Sequence, residues 1–253
     1  MRIELQDLRL LRGATPAVDG VSFALEPGRW TGVIGANGSG KTSLLRGVAG
    51  RLEVQGGRIF ADGEDRAGDR AWRAAHVGFA PDIAALPPSL AGTELFSIVA
   101  PGWDRTALPT GVAQLREALD FDLFASRRIA TLSAGMKQRL AIFLAFLNAP
   151  RAVILDEPFN WLDPVCAYDT KTALRALAEE GLTLATALHE TATLVGFCHS
   201  GLLLREGRVG QRLDEAALEA GRRDYPAFEA EMIRRLRDAT TPRRPSEGWD
   251  PDG

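Results

Sequence analysis

Gly35-Ala36-Asn37-Gly38-Ser39-Gly40-Lys41-Thr42 fills, position for position, the pattern GxxxxGK followed by Ser or Thr. The glycines let the backbone wrap a phosphate with its N–H groups pointing inward, and a helix opening near Lys41 adds its positive end. The Lys41 ammonium then reaches the β and γ phosphates, and the Thr42 hydroxyl serves Mg²⁺. Gly35, Asn37, Gly38, Ser39, Gly40, Lys41, Thr42 and the following Ser43 are the candidate nucleotide ligands. Arginine supplies nearly all of the 30 basic residues; Lys41, Lys137 and Lys171 are the lysines. A lysine in this loop therefore reads as a chemical requirement.

The surroundings suit the loop. Trp30 to Ile34 is a short apolar strand running into Gly35, and Leu44, Leu45, Val48 and Ala49 follow at helical spacing until Gly50. Upstream, Ile3, Leu5, Leu8 and Leu10, then Val21, Phe23 and Leu25, alternate as two half-buried strands. Downstream, strands are expected at 75–79, 152–155, 183–188 and 201–204, with a helix over about 164–180. Strands alternating with helices predict an α/β fold with a parallel sheet flanked by helices. From about 87 to 150 the texture turns to helix and turn, a small helical insert. Residues 1–238 read as a single domain, and the proline- and glycine-rich stretch 239–253 as a disordered tail.

The buried run Ala152 to Leu155 ends on Asp156 and Glu157. A strand of this kind presents its terminal carboxylate at the sheet edge where nucleotides bind. Asp156 is the candidate ligand for a phosphate-bridging Mg²⁺, and Glu157 the candidate general base for an attacking water. A merely solvated acidic strand end is the plainer alternative.

Composition sets outer bounds. The 253 residues are 45% hydrophobic and 25% charged with net charge −3, so no global basic excess points to nucleic acid. Cys166 and Cys198 form no CxxC pair, which suggests a reducing compartment, and His199 beside Cys198 reads as an ordinary neighbour. Arg2, Glu4, Asp7, Arg9 and Arg12 interrupt any secretory core. The longest apolar run, Leu140 to Leu147, falls short of the roughly 20 residues a spanning helix needs. Arginines at 222, 223, 234, 235, 237, 243 and 244 cluster near the end, but interleaved Asp224, Glu229, Glu231 and Asp238 favour a solvated helix over a lipid or nucleic-acid contact.

Leu132-Ser133-Ala134-Gly135-Met136-Lys137-Gln138-Arg139-Leu140 resembles the LSGGQ signature of the ATP-binding cassette (ABC) ATPases. Its Ser133 and small neighbours can open a helix towards an anion. The resemblance covers about residues 1–215, because Val153 to Pro158 resembles the family's second phosphate-site strand. Asn160-Trp161-Leu162-Asp163 is similar to its D-loop, His189 to its switch histidine at the γ phosphate, and 57–63 to its antiparallel β-subdomain. It implies a P-loop NTPase core with an N-terminal antiparallel β-subdomain and an inserted helical subdomain. It also implies ATP and Mg²⁺ as cofactors, Ser133 and Gly135 as nucleotide contacts in trans, and dimerisation with itself or a homologous cassette.

Three departures stand out. Asp82 replaces the usual glutamine after the 75–79 strand; it is either a metal-shell residue, as an exporter-like acidic variant, or a cap for residues 83–86. Arg12 stands near the position of the adenine-stacking aromatic and can stack through its guanidinium. Ala134 and Met136 replace glycine and glutamine, and Ala134 is tolerable if its φ is negative. The resemblance implies a transporter subunit on the cytoplasmic face of the cell membrane, exporting through a separate permease that meets the groove around Asp82 to Phe96. The alternatives are a soluble cassette acting on ribosomes or DNA, and a catalytically weakened ATP-dependent clamp.

Overall fold

Two sheets meet over the helix that follows the phosphate loop. The structure is a computed structural model that describes residues 1–102 and 108–238; the tail predicted over 239–253 lies outside the described residues. In the N-terminal sheet, β1 (Ile3–Arg12) pairs antiparallel with β2 (Thr15–Leu25) on one edge and β4 (Gly56–Ala61) on the other, with β5 (Glu64–Asp65) beyond. The predicted alternation is what turns Ile3, Leu5, Val21 and Ile59 inward, where they pack with Leu44 and Leu45 of α1 (Lys41–Val48).

The main sheet runs β10-β9-β3-β8-β7-β6. Its strands are β3 (Trp30–Ile34), β6 (Val77–Phe79), β7 (Ala152–Asp156), β8 (Thr183–Leu188), β9 (Ser200–Arg205) and β10 (Arg208–Leu213). All pairs are parallel except β9 with β10. Every residue of β3 and β8 is buried, which is why these strands read as continuous apolar runs. The order leaves β3 and β7 on either side of β8, so the loops after all three open at one sheet edge.

On the opposite face lie α6 (Pro164–Glu179) and α7 (Thr191–Phe197), and the helical insert with α3 (Gly92–Val99), α4 (Thr110–Ala118) and α5 (Ala134–Leu144). Phe143 stacks on Phe96 at 6.0 Å and meets Phe121 in a tilted pair at 4.5 Å, and the same apolar cluster continues through Leu155 and Leu174. The insert thus shares its core with the sheet.

Some expectations need correcting. Residues 75 and 76 are not strand: they end α2 (Arg70–His76), and β6 begins at Val77. Asp69 caps this helix by accepting from Trp72 N at 2.9 Å, and Trp72 stacks on His76 at 4.2 Å. Beyond β10 come α8 (Glu215–Arg223) and α9 (Tyr225–Asp238), where Arg222 and Arg223 pair with Glu219, and Arg234 and Arg235 with Glu231. That pairing is the solvated-helix reading; Arg243 and Arg244 lie outside the described residues. His199 accepts from the Trp30 backbone N–H through Nδ1 at 2.9 Å, an ordinary core contact. Among the described residues, no helix is long and apolar enough to cross a membrane.

Candidate active site

The phosphate loop leaves buried β3 at Gly35 and exposes Asn37 and Gly38 at its tip. Gly40 closes the loop at φ +101°, and a Cβ there would run into the Ala17 carbonyl, so only glycine fits. The loop is braced from behind by the β9–β10 turn: Gly207 N donates to the Ser39 carbonyl at 2.9 Å, and Asp19 N donates to the Gly207 carbonyl at 2.8 Å. The bracing residues Ala17 and Gly207 carry no motif; their approach exists only once the two sheets have met.

Within the loop, Lys41 Nζ donates to the Gly35 carbonyl at 2.7 Å. Burial pulls the Lys41 ammonium below its ordinary range, while Glu157 and Asp156 act the other way. The buried Ser39 hydroxyl makes no hydrogen bond to any described residue. An unsatisfied buried hydroxyl in a cradle of backbone N–H groups, next to a buried lysine, fits a phosphate. Ser43, also buried, lies in the first turn of α1.

Thr42 Oγ1 donates to Asp156 Oδ1 at 3.2 Å, joining the start of α1 to the end of β7. Burial pushes the Asp156 carboxyl up, Glu157 adds to this, and Thr42 opposes it. A hydroxyl and a carboxylate oxygen side by side form a hard donor set suited to Mg²⁺.

Glu157 follows in the left-handed region at φ +50°, a strained conformation for a non-glycine residue of the kind that functional sites retain. Both its oxygens are engaged: Oε1 lies 2.7 Å from His189 Nε2, and Oε2 accepts from Asn160 Nδ2 at 3.0 Å. His189 comes from the residue after β8. Asn160 was read from sequence as D-loop only; its role in holding Glu157 is a feature that the three-residue spacing across a tight turn hints at.

The signature segment behaves as a capped helix. Ser133 is the exposed N-cap of α5 and accepts from Met136 N at 3.2 Å. Ala134 lies in the helix and avoids positive φ, so the alanine is accommodated. A Cβ at Gly135 would lie 2.6 Å from the Trp161 carbonyl, and Gln138 Nε2 donates to the Pro158 carbonyl at 3.1 Å. The structure therefore brings Lys41, Thr42, Asp156, Glu157 and His189 together, and seats Gly135 against the loop that follows Glu157, with Ser133 exposed two positions before it.

Arg12 and Asp82 share no hydrogen bond with these residues among the described contacts. Arg12 is exposed at the β1–β2 turn, in register with Thr15. Asp82 accepts from Ala84 N at 2.9 Å, the capping contact. It also lines a groove of about 930 Å³ between the sheet and the insert, with Phe79, Pro87, Leu95 and Leu147.

The ABC transporter family pattern matches residues 18–160, which contain the phosphate loop, the signature and the β7 carboxylates. The chain belongs to the ABC transporter family. The cassette is 35% identical over 217 residues to an Fe(3+) ions import ATP-binding protein of Pseudomonas fluorescens, covering 83% of this chain and 60% of that one. It is 31% identical to a Nod factor export ATP-binding protein of Paraburkholderia xenovorans, covering 81% of this chain and 68% of that one. This cassette thus spans about 60% of the length of the iron-import relative. A solved ATP-binding subunit of an ABC transporter superposes with TM-score 0.77 at 25% identity, covering 94% of this chain and 100% of that one. The two named relatives act in opposite directions, so membership in the ABC transporter family does not carry a direction.

Proposed function

We propose that this cassette binds ATP with Mg²⁺, hydrolyses it, and drives substrate through a separate membrane permease. The observation that carries the reading is the joined chain Thr42–Asp156–Glu157–His189, which ties phosphate loop, metal ligand and general base in one place. Asp156 and Thr42 would hold the Mg²⁺, which when bound neutralises phosphate charge. Lys41 pairs with the phosphate oxygens and Ser39 donates its free hydroxyl. Glu157 Oε1 takes the proton of the attacking water, and His189 orients that carboxylate and contacts the γ phosphate. Asn160 fixes the other carboxylate oxygen.

Ser133 is exposed and presents the α5 N-terminus outward, which suits a nucleotide held by the phosphate loop of another cassette. A second copy or a homologue would complete the site. The groove holding Asp82, Pro87 and Leu95 suits a helix of the permease, and on this reading the chain is peripheral on the cytoplasmic face, where ATP is supplied. Export is the direction we propose, on the acidic Asp82. Purified cassette and its Glu157→Gln variant, assayed for ATP turnover, test the chemistry. Uptake of cargo by inside-out vesicles holding the assembled transporter tests the direction.

A further inference from the structure

His189 joins the sheet to α7. On one side it follows β8, a central strand paired to β3 and β7. On the other it precedes α7, a seven-residue helix whose N-cap Glu190 makes no side-chain cap. A helix this short does not hold its own ends, so neighbours must hold them.

One junction holds both. At the start of α7, Thr191 Oγ1 lies 3.0 Å from the Tyr225 hydroxyl, and that hydroxyl donates to Glu229 Oε1 at 2.7 Å. With the Tyr225 proton committed to the carboxylate, Thr191 turns its own proton to the Tyr225 oxygen or to Glu229 Oε1, which lies 3.4 Å from Thr191 Oγ1. At the far end, Arg222 donates through Nε to the Val195 carbonyl at 2.9 Å and through Nη2 to the Cys198 carbonyl at 3.2 Å. Those carbonyls belong to the unpaired set at a helix C-terminus. Arg222 is in the last turn of α8 and Tyr225 starts α9, with Asp224 between the two helices accepting from Ala227 N at 3.1 Å to open α9. The Thr191 side of this contact is buried.

We infer that the α8–α9 junction is a clamp that positions the switch histidine, with Tyr225, Thr191, Glu229 and Arg222 as positioning residues acting through α7. The inference rests on the reading of His189 as the partner of Glu157 in ATP hydrolysis. The clamp makes the presentation of His189 depend on how α8 and α9 sit, so a partner that shifts these helices would change turnover without touching nucleotide.

Tyr225→Phe keeps the ring and removes the hydroxyl shared by Thr191 and Glu229, leaving their longer direct contact of 3.4 Å. Losing hydrogen bonds of this kind is expected to lower kcat roughly three- to tenfold, with KM for ATP within about twofold. Thr191→Val should do the same, and Glu229→Gln, which keeps an acceptor, should retain most of the turnover. The direct readout is the imidazole NMR spectrum of the full chain, which has three histidines. Tyr225→Phe should move the His189 ring signals and leave those of His76 in place. Wild-type kcat with unmoved His189 signals in both Tyr225→Phe and Thr191→Val would overturn the clamp, as would a matching shift of His76, which signals a general loss of structure. His189→Ala run alongside separates the two readings. If it hydrolyses ATP at the wild-type rate, the site reading fails and the clamp with it; if it is slow while the Tyr225 and Thr191 variants are normal, the clamp alone fails.

Discussion

Glu157 Oε1 and His189 Nε2 are 2.7 Å apart, although they come from the ends of two neighbouring strands and are 32 positions apart in sequence. With Asn160 on the other oxygen, the Glu157 carboxylate has one defined orientation at the mouth of the phosphate loop. Glu157→Gln keeps the shape and the Asn160 contact but cannot accept a proton. Steady-state ATP turnover should fall about 10²- to 10⁴-fold, while ATP binding by calorimetry persists and ATP stabilises a dimer in size-exclusion chromatography. Turnover within about twofold of wild type would remove Glu157 from the role of base.

Lys41→Ala should weaken ATP binding itself, because the buried ammonium is the point charge we propose for the phosphates. Lys171 is an unsuitable control: its Nζ sits 4.9 Å over the Phe159 ring and 3.8 Å from Glu190, next to His189. Arg58, exposed on the N-terminal sheet, is the better one. Equal calorimetric affinity for wild type and Lys41→Ala would exclude the phosphate assignment.

Asp82 has a capping bond and no contact with Thr42 or Asp156 among the described hydrogen bonds. Asparagine caps as well as aspartate. Asp82→Asn should therefore leave the Mg²⁺ dependence of turnover unchanged, whereas Asp82→Ala loosens the groove wall. A shifted Mg²⁺ midpoint in the Asn variant would return Asp82 to the metal's shell.

His199 offers a stability test away from the chemistry. Burial, with Arg175 and Arg29 nearby, lowers its affinity for a proton below the ordinary imidazole value of 6.5. The unfolded chain then binds more protons in acid, so the stability from this group is complete above pH 6.5 and is lost as pH falls below it. Urea unfolding between about pH 8 and pH 5 should show a steeper acid loss in wild type than in His199→Gln, which keeps an acceptor for Trp30 N. Parallel curves would refute the assignment.

The phosphate loop, the β7 carboxylates and the signature were legible because each residue type there answers a local demand: a turn, a cap, a strand end. Ala75 and His76 were misread as strand because α2 has under two turns in which to show a helical period, and its start depends on one Asp69 cap. Over 215–238 the charges suggest a solvated helix but not its division into α8 and α9 or their packing: Leu218, Phe228 and Met232 are few among charges, and they pack against α7 and the main core. Pairing of Glu157 with His189 is a consequence of strand order, and that of Tyr225 with Thr191 of the packing of α9 on α7. No spacing along the chain encodes them.

The missing side chain at Gly135 has a mechanical consequence. The Trp161 carbonyl occupies the place where a Cβ would begin, and Gln138 and Arg139 tie the same helix to Pro158 and Asp163. Close-packed matter of this kind transmits displacement instead of absorbing it. The first turn of α5 and the loop after Glu157 are thus meshed like two gears with no play between them, and a wedge as small as a methyl group at position 135 would force them out of mesh.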